Sequence, residues 1–242
     1  MQHAIVSDKE WLEARRRLLA RERQITHDLD AVRAERRALP WHAVTKPYVF
    51  QSERGPLTLG DLFDGRRQLA VYHFMLTPGG DHVCEGCALL SDHIDAARQH
   101  FEHADLSFAA ISRVPIEEIT AVKKRFGWTF PWVSSHGSTF NYDFGVSFDG
   151  DNSASNRTGY NYGTTDYAGP DLPGASIFVR ADDGRICHAY STYARGLELL
   201  AGAFNWLDLT PKGRNEGDTT MSWVRPHDEY EDTGGQRKSC CG

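Results

Sequence analysis

The stretch Asp81-His-Val-Cys-Glu-Gly-Cys-Ala88 constrains this chain more than any other. Cys84 and Cys87 stand at C-x-x-C spacing, after the apolar run Leu69-Ala-Val-Tyr-His-Phe-Met-Leu76 and before a helix-like segment from Ala88 to Phe101. The first turn of a helix leaves backbone N–H groups unpaired, and the helix dipole adds partial positive charge there. Both favour a thiolate, the nucleophile of disulfide exchange. Residues three apart share a helical face, so Cys87 can reach back to Cys84 and close a disulfide. On spacing alone three readings fit the pair: a redox-active dithiol, half of a metal site, or two inert buried thiols.

Composition narrows the setting. The chain has 242 residues, 40% hydrophobic and 25% charged, which suits one domain of generous size with decorations better than two small ones. A net charge of -6 gives no electrostatic basis for binding nucleic acid or an anionic membrane. No apolar run approaches the roughly 20 residues needed to span a bilayer. The segment Met1 to Glu10 lacks the apolar core of a signal peptide, so a cytoplasmic protein is expected. In that compartment structural disulfides are rare, and a close Cys pair points to transient redox work or to metal.

Ahead of the dithiol, Ser7 and Glu10 form a capping box that opens a helix running from Asp8 to about Ala38, stopped by Pro40. Trp11, Leu18, Ile25 and Val32 recur every seven residues, with Leu12, Leu19 and Leu29 widening the stripe. The Arg cluster on the other faces, mixed with Glu and Asp, reads as a solvated surface with intrahelical pairs. The stripe requires burial, on the chain's own domain or against a second copy in a homodimer. Domain bounds follow: an N-terminal helical arm over 1–40, a core over 41–210, and a polar extension over 211–242 whose last residues are expected to be mobile.

Within the core, Gln68 to Leu76 and Leu106 to Ser112 read as buried strands, and Pro115 to Phe126 as an amphipathic helix ended by Gly127. Trp128 to Phe148 is aromatic-rich and reads as packing rather than a binding platform. Residues 149–174 form a long polar loop, whose start lacks the later Gly and Glu spacing of a calcium loop. Ala175 to Arg180 and Ile186 to Ser191 flank Asp182-Asp-Gly184 as a hairpin, and Leu197 to Trp206 reads as a last helix. The order β-α-β-α-β-β-α demands a mixed α/β sheet with crossover helices, and it is that of the thioredoxin fold.

The residues also carry a family resemblance. Trp11-Leu-Glu-Ala-Arg15, Glu35-Arg-Arg-Ala-Leu-Pro-Trp41, Asp61-Leu-Phe-Asp-Gly65, Gly127-Trp-Thr-Phe-Pro-Trp-Val-Ser-Ser135, Phe140-Asn-Tyr-Asp-Phe-Gly145, Ser191-Thr-Tyr-Ala-Arg-Gly196, Leu207-Asp-Leu-Thr-Pro-Lys-Gly213 and Trp223-Val-Arg225 lie along nearly the whole chain. In these segments it resembles the predicted dithiol-disulfide oxidoreductases catalogued as domain of unknown function 899. The resemblance implies a thioredoxin-like fold and an oxidoreductase role, with the family's Cys pair falling on Cys84 and Cys87. It names no substrate.

The expected chemistry is thiol–disulfide exchange, with Cys84 attacking a substrate disulfide and Cys87 resolving the mixed disulfide. No cofactor is required, and the partner is a thiol or disulfide substrate or a reductant protein. Three residues support the pair. Glu85, beside the thiolate, opposes the helix dipole and makes Cys84 less acidic. His82 offsets this if it lies near the sulfur as imidazolium, and is otherwise a solvent-facing loop residue. Pro173, ahead of Gly174-Ala-Ser-Ile-Phe178, is the candidate for the cis-proline that thioredoxin-like proteins hold beside their dithiol.

Two rival functions come from the same residues. A thiol peroxidase of the peroxiredoxin type carries a Pro and a Thr at fixed spacing before its reactive Cys; here Thr77 and Asp81 hold those positions, so the orienting hydroxyl is absent. A metal-binding or non-catalytic binding module would use His82, Cys84 and Cys87, with Cys240-Cys241 completing a tetrahedral set. Cys240-Cys241 otherwise reads as an unreactive terminus, and Cys187 as a buried small hydrophobe.

Overall fold

The computed structural model describes residues 3–80, 82–148, 159–164 and 169–230. The chain divides into two compact units, residues 1–41 and 42–242. The first is one helix, α1 (Asp8–Arg37), and its capping box forms as expected: Ser7 Oγ accepts the Glu10 N–H, and Glu10 accepts the Ser7 N–H at 3.0 Å. None of its residues is buried, and Trp11 and Ile25 on the apolar stripe are 60% and 56% exposed.

The second unit is built on one mixed sheet of eight strands in the order β1-β8-β7-β4-β5-β6-β2-β3. The strands are β1 (His42–Ala43), β2 (Val49–Ser52), β3 (Gly55–Thr58), β4 (Gln68–His73), β5 (Leu106–Ser112), β6 (Trp132–Ser134), β7 (Gly174–Arg180) and β8 (Ile186–Tyr193). At the centre β4 and β5 are parallel, while β7 runs antiparallel to both β4 and β8. This is the thioredoxin-like arrangement that the element order demanded. The β2–β3 hairpin and its pairing to β6 extend the sheet beyond it, where the sequence showed only extended and turn-rich character.

Alternation along β4 divides the core in two. Tyr72 and Phe74 face the crossover helices α2 (Glu85–Ser91), α3 (Ile94–Phe101) and α4 (Ile116–Phe126). Leu69 and Val71 face the opposite layer, with Phe50, Phe63, Phe140 and Phe178. Strands covered on both faces read as continuous apolar runs, which is why β4 and β5 were legible from sequence. The aromatic segment is core: Trp128, Phe130, Trp132 and Phe140 are all at most 7% exposed. Gly127 ends α4 in the left-handed conformation, φ 67°.

Two helices differ from expectation. The dithiol helix begins at Glu85, not at Ala88, and breaks at Asp92–His93 into α2 and α3. The His93 side chain causes the break: Nε2 accepts the Ala203 N–H at 3.1 Å, so Nδ1 carries the proton and donates to the Leu89 carbonyl at 2.7 Å. That carbonyl would otherwise serve the helix ladder. The last expected helix is also split, into a 3-10 segment (Ala194–Leu200) and α7 (Gly202–Leu207), with Ala201 extended between them. Here the His93 ring lies where a side chain on Gly202 would be, 3.0 Å from the Cβ position. Short 3-10 turns lie at Asp61–Phe63 and Glu102–Ala104, and the other helical segments are α5 (Phe140–Asp143) and α6 (Tyr160–Gly163), the latter with left-handed Asn161 and Tyr162.

Candidate active site

Cys84 is the N-cap of α2, and its sulfur accepts the Cys87 N–H at 3.3 Å. Both cysteines are thiols; Cys84 is half-buried and Cys87 is buried. The environments push their acidities apart. A hydrogen bond from the Cys87 thiol, aided by the backbone N–H groups of Cys87 and Gly86, pulls Cys84 down to about 7, against burial and the Glu85 carboxylate. Burial pushes Cys87 well above the ordinary thiol range, as does the hydrogen bond it gives Cys84. One thiol is acidified and the other is held protonated.

The structure places the expected supporting residues as follows. Glu85 opens α2, and its carboxylate makes Cys84 less acidic than it would otherwise be. His82 is a solvent-facing residue, its side chain 66% exposed, and its Nε2 lies 3.3 Å from Glu85 Oε2, so it meets the carboxylate. Pro173 directly precedes β7, but no peptide bond among the described residues is cis, so the cis-proline expectation is corrected. Its carbonyl instead accepts the Tyr160 hydroxyl at 2.7 Å. Cys187 is buried on β8, whereas Asp81, Cys240 and Cys241 lie outside the described residues.

Several neighbours of the dithiol had no local sequence signal. Tyr72 on β4 is 3% exposed and lies in the same core cluster as Cys87, whose upward shift its phenol opposes. The loop leading to Cys84 is tied down at Thr77, whose hydroxyl donates to Asp171 Oδ2 at 2.6 Å. Asp171 is buried and also accepts Arg113 Nε at 2.6 Å, Arg113 Nη2 at 2.8 Å and Ser147 Oγ at 2.5 Å. Pro78, Arg113, His136 and Tyr142 line an open cleft of about 490 Å³ at the carboxyl ends of β4, β5 and β6. That is the end of a parallel sheet where ligands bind. Among the described residues no group of three or more His, Cys, Asp or Glu side chains is placed to hold a metal ion, and no helix is long and apolar enough to cross a membrane.

Fold and site together define a thioredoxin-like protein with a reduced C-x-x-C dithiol at the start of its first crossover helix. The chain belongs to the family described as "Bacterial protein of unknown function (DUF899)", whose model matches residues 1–230. Among solved structures it is similar to peroxidoxin BcpB from Mycobacterium tuberculosis (14% identity, 68% of this chain and 97% of that one, TM-score 0.44). It is also similar to the mitochondrial 2-Cys peroxiredoxin of Plasmodium falciparum (14% identity, 74% and 98%, TM-score 0.42). A third such structure is a C84S mutant of peroxiredoxin Q from Xanthomonas campestris (16% identity, 69% and 95%, TM-score 0.44). These likenesses are distant. No curated protein matches the chain.

Proposed function

We propose that this protein is a thiol–disulfide oxidoreductase in which Cys84 is the nucleophile and Cys87 the resolving thiol. The observation that carries this reading is the asymmetry of the pair: a half-buried, acidified Cys84 whose sulfur accepts the Cys87 N–H at 3.3 Å, beside a buried, protonated Cys87. The Cys84 thiolate attacks one sulfur of a substrate disulfide, forming a Cys84–substrate disulfide and expelling the other sulfur as a thiolate that takes up a proton. Cys87 then loses its proton and attacks the Cys84 sulfur. The substrate leaves as a second thiol, and its two electrons have come from the dithiol, now a Cys84–Cys87 disulfide. A dithiol reductant restores the pair, and a cytoplasmic setting suits that requirement.

Equilibration in glutathione buffers of graded ratio, with alkylation and mass analysis, tests the reading. The expected result is a Cys84–Cys87 disulfide that titrates with the buffer; a pair that stays dithiol at every ratio refutes it. Peroxide consumption by the reduced protein would shift the assignment to a thiol peroxidase. Against that alternative, the Thr77 hydroxyl is committed to Asp171.

For partners, we propose a thiol or disulfide compound at the dithiol and a second copy of the chain along α1. The seven-residue recurrence makes a seam that suits a helix of the same period. Sedimentation at micromolar concentration should show a dimer, and Ile25→Glu should return it to monomer; a monomeric parent chain refutes the pairing.

A further inference from the structure

The C-terminal segment crosses the dithiol helix and sets a side chain against it. A Cβ built on Gly86 would lie 2.7 Å from Met221 Cε, 3.6 Å from Met221 Sδ and 4.0 Å from Cys84 Sγ. Met221 thus occupies the space that any other residue at position 86 would fill, next to the nucleophilic sulfur. The glycine in Cys-Glu-Gly-Cys is needed here for close approach and not for turn geometry, since its φ is ordinary for a helix.

Met221 is held there deliberately. Its backbone is left-handed, φ 62°, an uncommon conformation for a residue with a side chain. Its N–H donates to Glu216 Oε1 at 2.7 Å, and its carbonyl accepts the Val224 N–H at 2.9 Å. On one side of it Trp223 Nε1 donates to the Arg214 carbonyl at 2.7 Å, and Arg214 pairs with Glu198 and Asp208. The next residue, Val224, is 1% exposed against Phe204. Beyond it, His227 meets the Asp92 carboxylate at the end of α2, and Asp228 and Glu229 pair with Arg125. The segment is a belt fastened at both ends, with Met221 at the Cys84 end of the helix it crosses.

We infer that Met221 is the residue that determines which disulfides reach Cys84, admitting slender low-molecular-weight disulfides and excluding those set in a folded protein surface. The inference rests on the dithiol being the reactive centre proposed above. A thioether side chain is unbranched and flexible, so it closes the approach without sealing it. Met221 is therefore a specificity-determining residue and takes no part in the electron transfer itself.

The test compares two maleimides of different width, N-ethylmaleimide and N-pyrenylmaleimide, on the reduced full-length protein, with labelling read on the Cys84 peptide by mass spectrometry. The readout is the ratio of the wide-reagent rate to the narrow-reagent rate, which cancels any change in thiolate fraction common to both. Met221→Ala should raise that ratio by about tenfold or more, the range that pocket-shape discrimination spans, and Met221→Leu should keep it near the parent value. Gly86→Ala, whose new methyl would displace Met221 Cε, should raise the ratio too, and should add nothing when combined with Met221→Ala. An unchanged ratio in Met221→Ala, or a Gly86→Ala effect that is fully additive with it, overturns the inference. The glutathione titration is a separate measurement: a dithiol that never oxidises refutes the function while leaving the access result standing.

Discussion

The Cys84 sulfur sits between groups of opposite effect, and single substitutions can separate them. Glu85 is a nearby charge that disfavours the thiolate, and it stands 3.3 Å from His82, which is itself mostly exposed. Glu85→Gln should move the pH midpoint of Cys84 alkylation below about 7; a midpoint that stays or rises would remove Glu85 from the account. The sign extends to stability. The fold lowers Cys84 from an ordinary 9.0 to about 7, so the reduced protein carries this stabilisation in full above pH 9 and loses it as pH falls through 7. His73 acts in the other direction. Burial lowers it from 6.5 to about 3, and it is part of a buried chain from His73 Nε2 through Ser176 and Ser191 to His188 Nε2, with steps of 2.8, 2.8 and 2.7 Å. Below pH 6.5 the unfolded chain takes up a proton that the folded His73 refuses, so stability falls by at most about 1.4 kcal/mol per pH unit from this group. His73→Asn should flatten the loss of urea-unfolding midpoint between pH 6.5 and 4.5, and an equally steep loss in the variant would refute this.

At the scale of elements, the central strands were legible because their burial on both faces writes a continuous apolar run, and α1 because a capping box and a seven-residue period need no tertiary partner to be read. Helix ends near the dithiol were not. The break between α2 and α3 depends on His93 reaching Ala203, a residue 110 positions away. The strand β7 shows the same dependence. A Cβ on Gly174 would lie 2.8 Å from the Tyr193 ring and 3.0 Å from Val146, and the ring cannot swing aside because its hydroxyl donates to the Phe144 carbonyl at 2.9 Å. Gly174→Ala should therefore cost about 1–3 kcal/mol, measured by chemical denaturation. A neutral result would show that the ring has room the packing does not suggest.

At the scale of the molecule, Asp171 is the knot between separate parts of the chain: the loop before the dithiol through Thr77, the end of β5 through Arg113, and the segment after α5 through Ser147. Removing one partner of a buried pair costs more than the pair contributes, because desolvated charge is left behind. Asp171→Asn should lower stability by about 3 kcal/mol, seen as a reduced unfolding midpoint, and should speed alkylation of Cys84 as the Thr77–Gly80 loop loosens. Full retention of both properties would show that the knot is dispensable.

By itself the sequence determined the dithiol, the class of fold, the long capped helix and the buried aromatic segment, since each is encoded in local spacing or in the period of apolar residues. It also carried the effect of Glu85, because charge beside a helix start acts over one turn. Only the tertiary structure decided what surrounds the sulfurs. Tyr72 against Cys87, Asp171 gathering Arg113 and Thr77, the trans peptide before Pro173, and Met221 over Gly86 are contacts between residues far apart in the chain. Their physical basis is close packing and buried hydrogen bonding, which depend on where the backbone returns to itself and leave no period in the residues that take part.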